Sequence, residues 1–271
     1  DGLWAFRLDA ESAGRDARWF AGPLADSVEV PVPASYNDIY ADAAVRDHVG
    51  DAWYQTTVRV PRGWAGERIV LRFDAATHAA SVWLGETHVV SHEGGYTPFE
   101  ADVTELVTAG EEYLVTAAVN NELTFETIPP GYIEDQGHRR HQKYFHDFFN
   151  YAGIHRSVWL ASTPRVRVED VTVVTDLDGT TGTVRYEVEV ASDLHAPTGE
   201  EVRVTLTDAD GTEVARASGA TGELTVEDVH PWRPGEGYLY ELTVELVGED
   251  GDDPVDSYPL PVGVRTVEVR G

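Results

Sequence analysis

Short runs of alternating or β-branched residues recur along the chain, separated by turn-forming residues. WYQTTVRV (53–60), RIVLRFDA (68–75), ASVWLGETHVV (80–90), YLVTAAVN (113–120) and RSVWLAS (156–162) each read as a strand with one or both faces buried. No segment keeps a 3.6-residue apolar stripe for more than about two turns. Many short strands without intervening helices predict sandwiches or barrels rather than βαβ units. Residues 121–155 read instead as a long, aromatic loop, the kind of segment on which a rigid β scaffold carries binding residues.

A boundary is predicted at Thr163-Pro164, because proline cannot donate into a ladder and disfavours helix before it. The 271 residues then divide into 1–162 and 163–271, in keeping with roughly 100–200 residues per domain. Beyond the boundary seven strands are expected: VRVEDVTVVTD, TGTVRYEVEVAS, EEVRVTLTD, TEVARASG, GELTVED, YLYELTVELVG and SYPLPVGVRTVEVR. Their spacing suits an immunoglobulin-like sandwich without its cysteine pair. Asp210-Gly211 is predicted to be a two-residue hairpin turn, and 248–253 an acidic hairpin tip. Eight of the ten histidines precede the boundary, so candidate chemistry concentrates in the first domain.

Charge narrows the function classes. Twenty basic against 48 acidic residues give −28, and Lys143 is the only lysine. Nucleic-acid binding needs a cationic face, and anionic membrane surfaces repel such a chain, so neither partner is expected. An acidic surface almost without lysine points to a protein from a salt-accumulating microbe; high-GC coding bias is the competing explanation. No apolar run is long enough to span a membrane, and DGLWAFRLDAESAGRD is not a basic-then-apolar leader; the expected location is cytoplasmic. The lack of methionine, even an initiator, suggests a piece of a longer chain.

Most motifs dissolve under scrutiny. Glu111-Glu112, Glu134-Asp135 and Glu200-Glu201 are expected to be solvated faces or turns, because adjacent carboxylates carry little information in so acidic a chain. Asp208-Ala-Asp210-Gly211 starts like a calcium loop but lacks the further oxygen ligands. His138-Arg-Arg-His141, followed by His146-Asp147, has loose spacing and an arginine pair that repels a cation, so no metal or other cofactor is expected. The segment Tyr144–Arg156 is different: it crowds aromatics, two histidines, an aspartate and an asparagine together. Aromatic faces and fixed acceptors suit a sugar ring. Equally, the segment could be a buried aromatic plug with Asp147 as a helix or turn cap.

YFHDFFNYAGIHRSV (144–158) resembles the signature loop of the β-glucuronidases of glycoside hydrolase family 2. DGLWAFRLD, VPASYND, GGYTPFEADVT, VNNELTFETIPPG and YPLPVGVRTVEVRG continue the resemblance in order, nearly end to end. It implies a jelly-roll sugar-binding domain (1–162), an immunoglobulin-like domain (163–271), and then a catalytic (β/α)8 barrel bearing the two glutamates of a retaining mechanism. This sequence stops where that barrel would begin, so the chain is expected to be the non-catalytic N-terminal region. By motif match Asp147 would bind hydroxyls of a β-glucuronide substrate, with Phe145, His146, Phe148 and Asn150 positioning it. The resemblance also implies a homo-oligomer for the full enzyme. A stand-alone carbohydrate-binding or oligomerisation module, or the same region of a β-galactosidase or β-mannosidase, are the alternatives.

The charge yields a first prediction. Repulsion between surface carboxylates reaches roughly 30 Å at 0.01 M salt but about 3 Å at 1 M. The thermal midpoint should therefore rise by several degrees between dilute buffer and molar KCl; a flat or falling midpoint would leave only coding bias to explain the composition.

Overall fold

The computed structural model describes residues 1–137, 140–194, 201–248 and 253–268. The chain divides into two compact units, Asp1–Ser162 and Thr163–Gly271. Both are all-β, the first a jelly-roll sandwich and the second immunoglobulin-like. No helix among the described residues is long and apolar enough to cross a membrane.

In the first unit the strands are β1 (Gly2–Leu8), β2 (Val28–Val32), β3 (Asp51–Arg59), β4 (Arg68–Phe73), β5 (Ala79–Leu84), β6 (Thr87–Glu93), β7 (Phe99–Asp102), β8 (Glu112–Asn120), β9 (Gly131–Asp135), β10 (Arg140–Tyr144) and β11 (Val158–Thr163). A six-stranded antiparallel sheet, β2-β1-β3-β8-β5-β6, faces a three-stranded one, β11-β4-β7. Alternation supplies the core between them. Trp4, Phe6, Tyr54, Val82, Val115 and Ala117 point in from the larger sheet, and Ile69, Leu71, Phe73, Phe99 and Ala101 from the smaller.

Two expectations change here. The run 80–90 is not one strand but a hairpin, with Leu84 opposite Thr87 and Gly85 at φ +55°. The stretch 121–155 is not all loop either, because β9 and β10 pair as a two-stranded ribbon within it.

The outer face of the large sheet is also covered. Asp9, 3% exposed, accepts hydrogen bonds from Ala13 N (2.8 Å), Gly14 N (2.8 Å) and Trp53 Nε1 (3.2 Å). This folds residues 9–26 over Trp53 and Trp83, which stack at 5.4 Å, with Phe20 on Trp83 at 4.9 Å. Gln55 pins the far end through Leu24 N and Gly22 O. The indole pair explains why β3 is buried on both faces.

The second unit contains β12 (Val166–Asp178), β13 (Thr181–Ser192), β14 (Glu201–Thr207), β15 (Glu213–Ser218), β16 (Thr221–Val226), β17 (Tyr240–Val247) and β18 (Pro254–Val262). Sheets β12-β13-β16 and β15-β14-β17-β18 enclose Val184, Val204, Leu206, Leu224, Leu242, Val244 and Leu246. The seventh strand ends at Val262, not at 270: beyond it Thr175 of β12 bonds Arg265 N and O, so side-chain bonds replace the ladder. The β14–β15 connection is longer than a two-residue turn. Asp208 accepts from Asp210 N and Thr212 N, so one oxygen of its carboxylate serves the backbone of its own turn. Glu200 and the tip 249–252 lie outside the described residues.

Replacing Asp9 by alanine strands three donors beneath the 9–26 flap. Unfolding free energy should fall by about 3 kcal/mol in a denaturant titration; a loss within the noise would mean that the flap holds by its indoles alone.

Candidate functional site

Asp147 lies in the connection between β10 and β11, and its side chain is exposed. Among the described residues it makes no hydrogen bond and no ion pair, so it caps no helix or turn. The residues around it are fixed by rings. Tyr144, His146 and Phe148 form a three-ring stack, with centroids 4.4 Å and 4.0 Å apart. Phe145 packs instead against Phe125 (5.7 Å) and Tyr132 (5.8 Å), which themselves stack. Alternate residues thus engage different partners, as in an extended chain. His146 Nδ1 donates to Phe148 O at 2.8 Å, a bond that spans Asp147 and holds its backbone. His146 Nε2 is buried and has no partner among the described residues.

The descent of the loop into the jelly-roll is held by a second segment of the chain. A four-residue helix, Tyr36–Ile39, begins after Ser35, which occupies the capping position without capping it. Ser35 and Asn37 reach across to the loop instead. Asn37 Nδ2 donates to Asn150 O (2.9 Å), and Ala152 N donates to both Asn37 Oδ1 (3.0 Å) and Ser35 Oγ (3.0 Å). Gly153 then exchanges backbone bonds with Thr77 (2.9 and 3.1 Å) and passes hard against Tyr54. At φ +93°, a Cβ there would lie 2.1 Å from Tyr54 Oη, so only glycine fits.

Beside this latch is a cavity of about 330 Å³ whose wall includes Asn37, His48, His141, Lys143, Phe149 and Asn150. Asn150 is 5% exposed, and its Oδ1 has no partner among the described residues. Burial lowers the His48 pKa, leaving a neutral ring that bonds Asp51 O at 3.0 Å. Lys143 is engaged by Glu134 (3.6 Å) and Arg140 by Glu122 (2.7 Å), so neither cation is free for an anion.

All five residues singled out in the sequence are therefore gathered in one loop, though Phe145, His146, Phe148 and Asn150 do not bond the Asp147 carboxylate. They fix its backbone. Sequence reasoning missed Ser35, Asn37 and Gly153 as the supports; VPASYND and FNYAGI stood out separately, with nothing in either to reveal their contact. No group of three His, Cys, Asp or Glu among the described residues could hold a metal ion, and His138 lies outside them.

Asn37→Ala removes a buried bridge to two backbone groups. It should cost about 2–3 kcal/mol and speed amide exchange across 145–153 while leaving the second unit unchanged. Uniform loosening of both units would refute a local latch.

Two family models match the chain: "Glycosyl hydrolases family 2, sugar binding domain" over residues 1–164 and "Glycosyl hydrolases family 2" over 166–265. A β-glucuronidase of Paenibacillus borealis is 47% identical across the whole chain, and one of Canis lupus familiaris 41% over 99% of it. Solved structures agree. A Lactobacillus rhamnosus β-glucuronidase superposes with a TM-score of 0.93 at 41% identity, and a Ruminococcus gnavus β-glucuronidase in complex with D-glucuronic acid with 0.93 at 35%. The chain is covered completely in both, but it spans only 44–46% of these four proteins. With both halves matched by family models and relatives above 40% identity along its length, the chain belongs to glycosyl hydrolase family 2.

Proposed function

We propose that this chain is the non-catalytic N-terminal region of a retaining β-glucuronidase, and that Asp147 contacts the sugar hydroxyls of a β-D-glucuronide in the longer protein. The observation that carries this reading is an exposed carboxylate with no partner among the described residues, held in a loop whose backbone is fixed on both sides. A preorganised acceptor loses little freedom on binding, so its bonds to hydroxyls are worth more than those of a mobile side chain. His146 and Phe148 act as positioning residues, Phe145 anchors the entry to the loop, and Asn150 anchors its exit through the carbonyl that Asn37 holds. The chemical step belongs to two carboxyl groups about 5–5.5 Å apart on a following barrel, and no acid of this chain is assigned either role.

The substrate class is supported by the four similar proteins named above, each of which is a β-glucuronidase. A salt-rich cytoplasm as the working compartment is supported by the −28 charge and the single lysine. A homo-oligomeric longer protein rests on family resemblance alone.

The test uses the chain extended by a family barrel, with the 271-residue chain as an inactive control. Asp147→Ala should lower kcat/KM for a chromogenic β-glucuronide roughly 10- to 150-fold, the loss of one charged hydrogen bond, without moving the thermal midpoint. Near-normal kinetics in that variant would remove Asp147 from the site. Turnover by the control would refute the non-catalytic assignment.

A further inference from the structure

The stretch GGYTPFE (94–100) joins β6 of the larger sheet to β7 of the smaller. It is tied to both. His92, near the end of β6, stacks on Phe99 at the start of β7 with centroids 4.6 Å apart, and Phe99 stacks on Phe73 in the core at 5.1 Å. Thr97 closes the turn between them: its Oγ1 lies 2.9 Å from His92 Nε2 and donates to Gly94 O at 3.4 Å. Gly94 N donates to His78 O at 3.0 Å. A turn fastened in this way is a rigid mount for whatever packs on it.

The Asp147 loop packs on it at two points. At the exit of the loop, the Gly95 carbonyl accepts from His155 Nε2 (2.8 Å) and from Thr77 Oγ1 (3.3 Å), and Thr77 is the residue whose backbone pairs with Gly153. Next to Asp147, the Tyr96 ring meets Phe148 edge-on, with centroids 6.5 Å apart and planes at 79°, and it lies 5.6 Å from the His155 ring. Both separations fall within the range over which aromatic rings attract. Phe148 is 46% exposed, so burial alone does not hold it; its ring neighbours are His146 at 4.0 Å and Tyr96. The Tyr96 hydroxyl is buried and has no partner among the described residues, so this side chain acts through its ring rather than through a hydrogen bond.

We propose that Tyr96 is a positioning residue for Asp147: by bracing Phe148 against the β6–β7 turn, it fixes the backbone one residue beyond the carboxylate. The assignment rests on the reading of Asp147 as the sugar-contacting group. Tyr96 touches no reacting group itself, so its loss should cost activity only while Asp147 is present to be misplaced. A Tyr96 that merely stabilised the first unit would cost the same factor with or without that carboxylate.

In the 271-residue chain, Tyr96→Ala should lower the backbone order parameter of the Asp147 amide, measured by NMR relaxation, from the rigid range to below about 0.6, while β3 and β8 stay rigid. In the chain extended by a family barrel, Tyr96→Ala should lower kcat/KM for a chromogenic β-glucuronide about 3- to 10-fold. Tyr96→Phe, which keeps the ring, should restore both readouts. Tyr96→Ala added to Asp147→Ala should cost nothing further. If the alanine variant does not fold, Tyr96→Leu, which fills the space without an aromatic edge, takes its place. Additive losses in the double variant, an unimpaired Tyr96→Ala enzyme, or an Asp147 amide that this variant leaves rigid would each overturn the assignment while leaving Asp147 in the site. Near-normal kinetics of Asp147→Ala alone would instead remove the underlying reading, and the role of Tyr96 with it.

Discussion

The candidate site depends on one buried side chain in a different part of the sequence. Asn37 holds the carbonyl of Asn150 and the N–H of Ala152 together, and no strand ladder would otherwise satisfy those groups. A backbone entering a sandwich must find partners for its polar groups or carry the penalty of burying them unpaired. The Ser35–Asn37 corner supplies them in place of capping its own helix. Gly153 completes the descent, because its missing Cβ is what lets the chain pass Tyr54. Without this corner the Asp147 loop would have an anchored entry and a loose exit.

The two ends of the loop are held by different physics. From Asn150 onward the restraint is buried hydrogen bonding, directional and intolerant of displacement. From Tyr144 to Phe148 it is ring packing, broader in geometry but cumulative over Tyr144, Phe145, His146 and Phe148. Asp147 falls between the two regimes and takes part in neither. Among the described residues its carboxylate makes no hydrogen bond or ion pair, and that is the ground of the ligand contact proposed for it.

Surface charge is managed differently. Arginines engage several of the acids: Arg68 bridges Asp102 and Glu100, and Arg167 bridges Glu169 and Asp193. Both guanidinium side chains are largely buried, at 13% and 9% exposed, while their carboxylates face solvent, and 48 acids against 20 bases leave carboxylates far in excess. The excess weighs on stability through repulsion, which mobile ions screen.

Local patterning determined much of this protein. Period-two alternation in WYQTTVRV and RIVLRFDA, and all seven strands of the second unit, were legible because burying one face of a strand imposes that period on the sequence itself. Asp147 was legible as a residue of interest because its aromatic neighbours are contiguous. The ribbon inside 121–155 was not, since β9 and β10 (GYIED and RHQKY) lack the alternating apolar face by which a strand is read from sequence. Nor was the flap over Trp53: Asp9 is one acid among 48 until the fold brings Trp53 Nε1 to it. The choice between a cap and a free carboxylate for Asp147, and the pairing of Asn37 with a loop more than a hundred residues away, were decided only in three dimensions. A hydrogen bond between distant segments leaves no periodicity in either of them.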